Sequence, residues 1–446
     1  MKNYTVPEDR QKIPRRSLNR SRILLVSVIA VTSLLPLVFV QLGTGSIETD
    51  TYFFLAKIGA FTGGMLLLWQ FFLGFRGAVS RIITDLTWVV DLHKKLGQYG
   101  TLVIPLHPVF IGLFYYRSYQ LNVYDLDLGT RFSQLVLLGI ILLSIIAFIV
   151  ISSAFFRQKT GFYTWFYTHL SAYIVPPVLF IHSFLLGSTI QETAYRYIWW
   201  GLTGLMTVFY LYRILHKLGA FAQRYRTAGT RFVAEQTTEL TLEPHDGGLT
   251  PAPGQFIYIR GSIKRNAHPY TVSGFEEKSG KLSITAKEEG PQSARFQETE
   301  EGKNFILDGP YGVFTRVAYA SGLPLVMIAG GIGITPFRRL WRKIEKEKDR
   351  EAWLFYGNEF YRNIVYKDEL DALEYVKVIH ILNQEPDFPG EKGFVTTDIL
   401  KRHLERDLSE YQFLICGPPV MIIKLEEALR EAGIPDERIQ HELFAT

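Results

Sequence analysis

Four histidines carry the first chemical signal in this 446-residue chain. His93 and His107 share one long apolar stretch, and His169 and His182 share another. At 1.5 Å per helical residue, each spacing separates two rings by ~20 Å along a helix axis. Two such helices running in the same direction set His93 level with His169, and His107 level with His182. A neutral imidazole nitrogen is a good haem-iron ligand. Two imidazoles on one iron leave no open position, which suits electron transfer rather than oxygen binding at the metal. A single histidine inside a membrane is ordinarily a hydrogen-bond partner between helices; four at two matched depths are not explained that way. On an ideal helix His93 and His107 end about 40° apart, on one face. His169 and His182 end about 140° apart, and Pro176-Pro177 between them is expected to bend and retwist the helix enough to help.

Those histidines need elements that cross a bilayer, and the distribution of charge provides them. Of 48 Lys and Arg and 43 Asp and Glu, only 18 lie between Ile23 and Arg213. Apolar runs at about 23–42, 53–75, 88–116, 132–155, 162–186 and 195–215 are each long enough for the ~30 Å hydrocarbon core. The first follows Arg15, Arg16, Arg20 and Arg22 but is too long for a signal peptide and lacks a small-residue cleavage site, so it reads as a true span. Arg76, Arg81, Lys94 and Lys95 follow span two, Arg157 and Lys159 span four, and Arg213, Lys217, Arg224 and Arg226 span six. Only Arg117, Arg131 and Arg196 lie on the other side, so both termini are expected in the cytoplasm. A soluble all-helical protein with long core helices is the alternative, and runs of this length disfavour it. The net charge of +5 reflects these basic flanks rather than a nucleic-acid surface. Cys416 is the only cysteine, which excludes an intramolecular disulfide and a Cys-based zinc site.

After Arg226 the pattern changes to short β-type runs, Glu239–Leu242, Phe256–Ile259, Tyr270–Val272 and Lys281–Thr285, which predict an antiparallel barrel over about 227–320. From Leu323 onward strand, glycine loop and helix repeat. Strands are expected at Leu325–Ala329, Trp353–Tyr356, Val376–Leu382 and Phe413–Ile415, with helices from Pro336 and over Tyr366–Glu374, in a parallel sheet covered on both faces. The turn Gly330-Gly331-Ile332-Gly333-Ile334-Thr335-Pro336 lets a pyrophosphate approach backbone at a helix N-terminus, with Pro336 at the first helical position. A tight strand-to-helix turn is the plain alternative for one such loop. Cys416-Gly417-Pro418-Pro419 is a second, and two at the ends of parallel strands make a dinucleotide site.

These segments carry a resemblance. His268-Pro269-Tyr270-Thr271-Val272-Ser273, then Leu307-Asp308-Gly309-Pro310-Tyr311-Gly312, the GGIGITP loop and the CGPP loop occur in the order of the ferredoxin–NADP reductase superfamily. The His-Pro form resembles NADPH oxidases and ferric reductases. The membrane half is similar to the ferric reductase transmembrane domain, whose two His pairs bind two b-type haems. The resemblance implies a membrane all-α six-helix bundle of cytochrome b type over 23–218, after a basic segment 1–22. It also implies a β-barrel FAD domain at 227–320 and an α/β NAD(P) domain at 321–446. Tyr270, Thr271 and Ser273 would hold the flavin, with Gly290 and Ser293 at its pyrophosphate. Gly331, Gly333, Thr335 and Pro336 would receive NADPH or NADH, Cys416 would lie near the nicotinamide, and Phe444 would stack on the flavin. For Cys416 and Phe444, ordinary packing is the alternative. Lys57, the only charge well inside a span, resembles a basic residue beside the outer haem, where it would pair with a propionate or stabilise an anionic product; snorkelling is the plain alternative.

The chain also departs from that pattern. Glu359 follows Tyr356-Gly357-Asn358 where NADPH-specific relatives carry Arg, and a carboxylate suits the ribose 2′-hydroxyl of NADH. Ile111 stands four residues beyond His107 where animal-type oxidases often have His, and Asp125-Leu126-Asp127 does not continue into a calcium loop. The expected activity carries electrons from cytoplasmic NAD(P)H through FAD and two haems, His93/His169 inner and His107/His182 outer, across the plasma membrane. Dioxygen, giving superoxide, is favoured slightly over ferric chelates. The other readings are an electron donor to a separate extracytoplasmic redox protein and a haem-free membrane-anchored flavin reductase.

Overall fold

The computed structural model describes residues 15–43, 46–75, 79, 83, 85–156, 159 and 162–442. The chain divides into two compact units, Arg20–Ile214 and one that contains Leu215–Thr446.

The first unit is built from six helices long and apolar enough to cross a membrane: α1 (Arg15–Phe39), α2 (Ile47–Leu73), α3 (Leu86–Tyr119), α4 (Arg131–Phe155), α5 (Thr164–Leu186) and α6 (Tyr195–Lys217). Several extend beyond the apolar runs. The helix of α1 already includes Arg15, Arg16, Arg20 and Arg22, because arginine propagates a helix well once it has started. α2 starts six residues early, with Glu48 and Asp50 placed favourably against its N-terminal dipole. Asp85 caps α3 by accepting from the Trp88 N–H at 3.2 Å, and Thr130 caps α4 by accepting from the Ser133 N–H at 3.3 Å.

Helices are interrupted near the histidines. α2 contains a π-turn at Ile58–Thr62, α3 a 3₁₀ turn at Gly100–Val103 and α5 a 3₁₀ turn at Leu170–Ile174. A 3₁₀ residue advances about 120° rather than about 100°, so five of them bring His169 and His182 from about 140° apart to about 40° apart. The retwist precedes the proline pair rather than falling on it. Pro176 and Pro177 have no N–H to bond the Ala172 and Tyr173 carbonyls four residues back, and the preceding turn tightens. The Tyr210 hydroxyl donates to the freed Tyr173 carbonyl.

The second unit has two layers of sheet. Six antiparallel strands close a barrel in the order β1-β2-β5-β4-β3-β6: β1 (Gln223–Ala234), β2 (Thr237–Pro244), β3 (Phe256–Arg260), β4 (His268–Phe275), β5 (Leu282–Lys287) and β6 (Asn304–Tyr311). Alternate side chains such as Leu240, Leu242, Ile257, Ile259, Val272, Ile284 and Leu307 fill its interior and are fully buried. A parallel sheet follows in the order β10-β9-β8-β7-β11-β12, from β7 (Leu325–Gly330), β8 (Ala352–Asn358), β9 (Lys377–Leu382), β10 (Glu391–Lys392), β11 (Gln412–Cys416) and β12 (Ile439–Glu442). Along β7, Leu325, Met327 and Ala329 enter one core while Val326 and Ile328 enter the other, so both faces are covered. The expected helix from Pro336 begins instead at Arg338 and runs to Glu347. Pro336 sits within a 3₁₀ turn, Gly331–Phe337. The helix expected over Tyr366–Glu374 shrinks to Lys367–Asp371, with Tyr366 in a left-handed conformation at φ +61°.

Candidate functional site

Strand β7 lies between β8 and β11, so the strand order reverses there, and Ala329 pairs with Cys416 at the C-terminal ends of β7 and β11. The crevice outside such a reversal is where open parallel sheets bind nucleotides. Both glycine loops meet in it. A Cβ on Gly333 would lie 2.3 Å from the Cys416 carbonyl oxygen, and one on Gly417 would lie 3.0 Å from the Gly330 nitrogen. Gly330 is closed in by Pro418 and Met421, each of which would stand 2.8 Å from a Cβ at that position, whereas Gly331, at φ +52°, faces open space. Gly331 therefore offers backbone to a ligand while Gly333 and Gly417 let the loops touch. Thr335 is buried and its hydroxyl donates to the Ile332 carbonyl at 3.1 Å, fixing the turn.

Cys416 is fully buried beside Glu442, its partner in the β11–β12 pair. Burial, reinforced by the Glu442 carboxylate, raises the thiol well above its ordinary range, so it stands in the crevice as a neutral group and not as a nucleophile. Glu442 itself is 4 % exposed, and a Cβ on Gly312 would come within 3.5 Å of its Oε1. Sequence pattern did not single it out, since a lone carboxylate in a four-residue terminal strand has no period or spacing to betray it. Phe444, the expected stacking residue, lies outside the described residues. Glu359 is exposed on the loop after β8, where its carbonyl accepts from the Gln384 N–H at 3.0 Å. The nearby Arg362 is paired with Glu235 at 2.8 Å.

On the barrel, His268, Pro269 and Tyr270 are half-exposed at the start of β4, whereas Thr271 and Ser273 are buried. Tyr270 turns toward the barrel core, its ring 5.2 Å from Phe296. Ser273, expected to hold flavin, has its hydroxyl committed to the Ser283 carbonyl (3.2 Å) and Thr285 Oγ1 (2.9 Å), and Thr285 bonds Tyr366 of the parallel-sheet layer. Ser293, expected at the pyrophosphate, instead caps its own seven-residue helix. Its Oγ accepts from the Glu289 and Gly290 N–H groups, each at 3.1 Å. Gly290 remains open, with nothing near a Cβ position. Burial holds the His268 imidazole below its ordinary value and therefore neutral. Half-exposed His268 and Pro269 and open Gly290 leave room for a flavin dinucleotide on this edge.

In the helical unit the four histidines come together in two pairs. Ring centroids of His93 and His169 are 6.1 Å apart, and those of His107 and His182 are 6.5 Å apart, with the rings nearly perpendicular at 76° and 79°. His93 Nδ1 meets the Gln70 carbonyl at 2.8 Å, His107 Nδ1 the Ala56 carbonyl at 3.3 Å and His182 Nδ1 the Leu135 carbonyl at 3.2 Å. A carbonyl only accepts, so each Nδ1 carries the proton and Nε2 keeps its lone pair, the arrangement that orients a metal-binding imidazole. His169 Nδ1 faces Ser153 Oγ at 3.3 Å, and that oxygen also accepts from Trp165 Nε1 at 3.2 Å. With metal–nitrogen bonds of ~2.0 Å, two imidazoles on one metal have centroids roughly 6 Å apart. Among the described residues no group of three or more His, Cys, Asp or Glu could hold a metal ion. Two imidazoles at this spacing would fit a metal whose other donors come from elsewhere, as in a porphyrin. Lys57 is 7 % exposed, one residue beyond Ala56, and its Nζ donates to Ser188 Oγ at 3.2 Å.

The family model of the oxidoreductase NAD-binding domain matches residues 327–427, which span β7, β8, β9 and β11. NADH-cytochrome b5 reductase 1 of Arabidopsis thaliana is 32 % identical over 199 residues, 41 % of this chain and 70 % of that protein. Through its C-terminal half, the chain belongs to the cytochrome b5 reductase-like oxidoreductases. The protein of the same name from Mortierella alpina is 31 % identical over 205 residues, 43 % of this chain and 67 % of its own. A solved ferredoxin reductase of a carbazole 1,9a-dioxygenase system aligns with 50 % of this chain and 69 % of its own, at 23 % identity and a TM-score of 0.46. As a cytochrome b5 reductase-like protein, the C-terminal half is an NAD(P)H-dependent flavin oxidoreductase.

Proposed function

We propose that this reductase half feeds electrons to a membrane half that carries them across the bilayer. The single observation behind this reading is the double histidine pair, with centroid separations of 6.1 and 6.5 Å and Nδ1 protons directed at Gln70, Ala56 and Leu135. His93 and His169 would hold one b-type haem, and His107 and His182 the other. Bound FAD would accept a hydride from NADH and release its electrons singly, and bound haems would relay them one at a time. Six apolar helices with outward Ile23, Leu24, Val31, Phe148, Val208 and Leu211 suit a lipid surface. The basic flanks of the apolar helices would mark their cytoplasmic ends, and the dehydrogenase half would draw on cytoplasmic NAD(P)H.

At the far side, Lys57 beside the His107 turn favours an anionic product, and dioxygen reduced to superoxide is the preferred small acceptor. One NADH then yields NAD⁺, a proton and two superoxide ions from two dioxygen molecules. Short connections at the same end also favour ferric chelates. Anaerobic spectra of the detergent-purified protein with FAD, before and after NADH, test the reading. Reduced b-type bands at about two haems per chain are the expected outcome, and His93→Ala or His107→Ala should each remove about one. Flavin bleaching with no haem bands after haem-replete expression overturns it in favour of a membrane-anchored flavin reductase.

A further inference from the structure

The non-basic end of the helical unit carries an open cavity of about 360 Å³ whose lining includes Gln41, Phe53, Phe114, Tyr115, Tyr119 and Ser188. Its aromatic wall is continuous. Ring centroids are 4.9 Å apart for Phe53 and Phe114, 5.5 Å for Phe114 and Tyr115, and 5.7 Å for Tyr115 and Tyr119. Behind the wall lies Lys57, with Nζ 4.7 Å over the Phe53 ring and bonded to Ser188, which itself lines the cavity. Arg117 at the same end is neutralised by Glu48 at 3.4 Å, but Lys57 makes no ion pair among the described residues. This lysine, 7 % exposed and held by a hydroxyl and two ring faces, has the Glu192 carboxylate acting on it only from beyond ion-pair contact, a weak counter-charge for a buried ammonium. Interfacial tyrosines of a membrane belt would face lipid singly; these line an open depression of small-molecule size.

We infer that this cavity is a binding site for a quinone-class acceptor, a planar ring stacked on exposed Tyr119 and meeting the nearly perpendicular Phe114 ring edge-on, with a carbonyl oxygen directed at Ser188 and Lys57. Dioxygen needs neither this volume nor a ring-shaped wall. The reaction rests on the electron route proposed above. NADH, one further proton and the quinone give NAD⁺ and the hydroquinone, both carbonyls becoming hydroxyls with two electrons from NADH. The Lys57 charge favours the oxygen as it gains electron density, and the cavity mouth admits protons from water.

Equilibrium dialysis of a water-soluble 1,4-naphthoquinone against the oxidised, full-length protein in detergent, without NADH, tests the site apart from electron transfer. One saturable site per chain is expected. Tyr119→Ala and Ser188→Ala should each raise Kd at least tenfold, and Tyr119→Phe, which keeps the ring, should stay within twofold of the native value. Lys57→Met is expected to match Ser188→Ala. Unsaturable partition identical in all variants, or saturable binding of ferric citrate without binding of the quinone, overturns the assignment. Because the readout needs no haem, loss of haem bands with intact binding sinks the electron route alone, and the reverse sinks the cavity alone.

Discussion

Gly139 of α4 tests whether His182 is a ligand more sharply than mutating the histidine does. A methyl group there would lie 2.6 Å from His182 Cε1 and 3.2 Å from both ring nitrogens. Carbon contacts settle at about 3.5–4.0 Å, so Gly139→Ala requires the ring to retreat by about 1 Å. Its Nδ1 is already 3.2 Å from the Leu135 carbonyl, and such a retreat breaks that bond. Overpacking costs about 1–3 kcal/mol and the lost hydrogen bond about 1 kcal/mol. At 1.4 kcal/mol per decade, the total weakens binding at this pair by roughly 30- to 1,000-fold. Haem content by pyridine haemochrome should fall from about two per chain to about one, while NADH still bleaches the flavin. Gly204 on α6 has nothing within 4 Å of a Cβ position, so Gly204→Ala is the matched control and should keep both haems. Two haems with an unchanged spectrum in Gly139→Ala would refute the ligand role of His182. Equal loss in both variants would refute the steric reasoning.

In the nucleotide crevice, Gly333→Ala drives a methyl to 2.3 Å from the Cys416 carbonyl, and NADH-dependent flavin reduction should fall at least a hundredfold, read as kcat/KM in stopped flow. Glu359→Gln should raise the ratio of NADPH to NADH efficiency about tenfold; a native protein that clearly prefers NADPH would contradict the premise. Arg338, 3 % exposed, bonds Glu239 and Glu369 and lies 3.9 Å from the Tyr366 ring centre; without it Glu239 keeps Arg231 and Glu369 keeps Arg342, so Arg338→Met should cost about 1.5–3 kcal/mol in urea unfolding of the reductase half. The Cys416 thiol is raised in the fold by burial and by Glu442. The unfolded chain loses that proton first as pH rises, and stability should decline above the thiol's ordinary value; Cys416→Ala should flatten that alkaline limb, and a limb of unchanged slope would rule the linkage out.

Much of the layout is legible in the sequence because it depends on period and composition. Apolar runs locate the six long helices found among the described residues, though α1 and α2 start eight and six residues before them, and alternating strands locate the barrel, since burial on one face leaves a trace at every second or fourth residue. Residues whose role depends on a partner distant in sequence are not legible in this way. The hydroxyls of Ser273 and Ser293 bond Ser283, Thr285 and the Gly290 turn, partners that no spacing in the sequence announces. Glu442 and Arg338 matter through what they face across strands and layers, and no spacing records that.

The same argument explains why the histidine ligands are visible in the sequence while their supports are not. An imidazole proton inside an apolar bundle needs an acceptor, and in a regular helix each carbonyl already accepts from the residue four positions on. Ala56 lies just before the π-turn Ile58–Thr62, Ser153 in the π-turn Ser152–Phe156 offers a hydroxyl instead of a carbonyl, and the Gln70 carbonyl in the last turn of α2 is shared between the Gly74 N–H and His93. Leu135 is in regular helix, and its helical partner four residues on is Gly139. Without a side chain there, the His182 ring can lie over the helix and share the Leu135 carbonyl, which ordinary helix packing would cover. On the proposed haem ligation, breaks and bare glycines in these helices would be part of the ligand apparatus. They are read from sequence only once the ring that uses them is known.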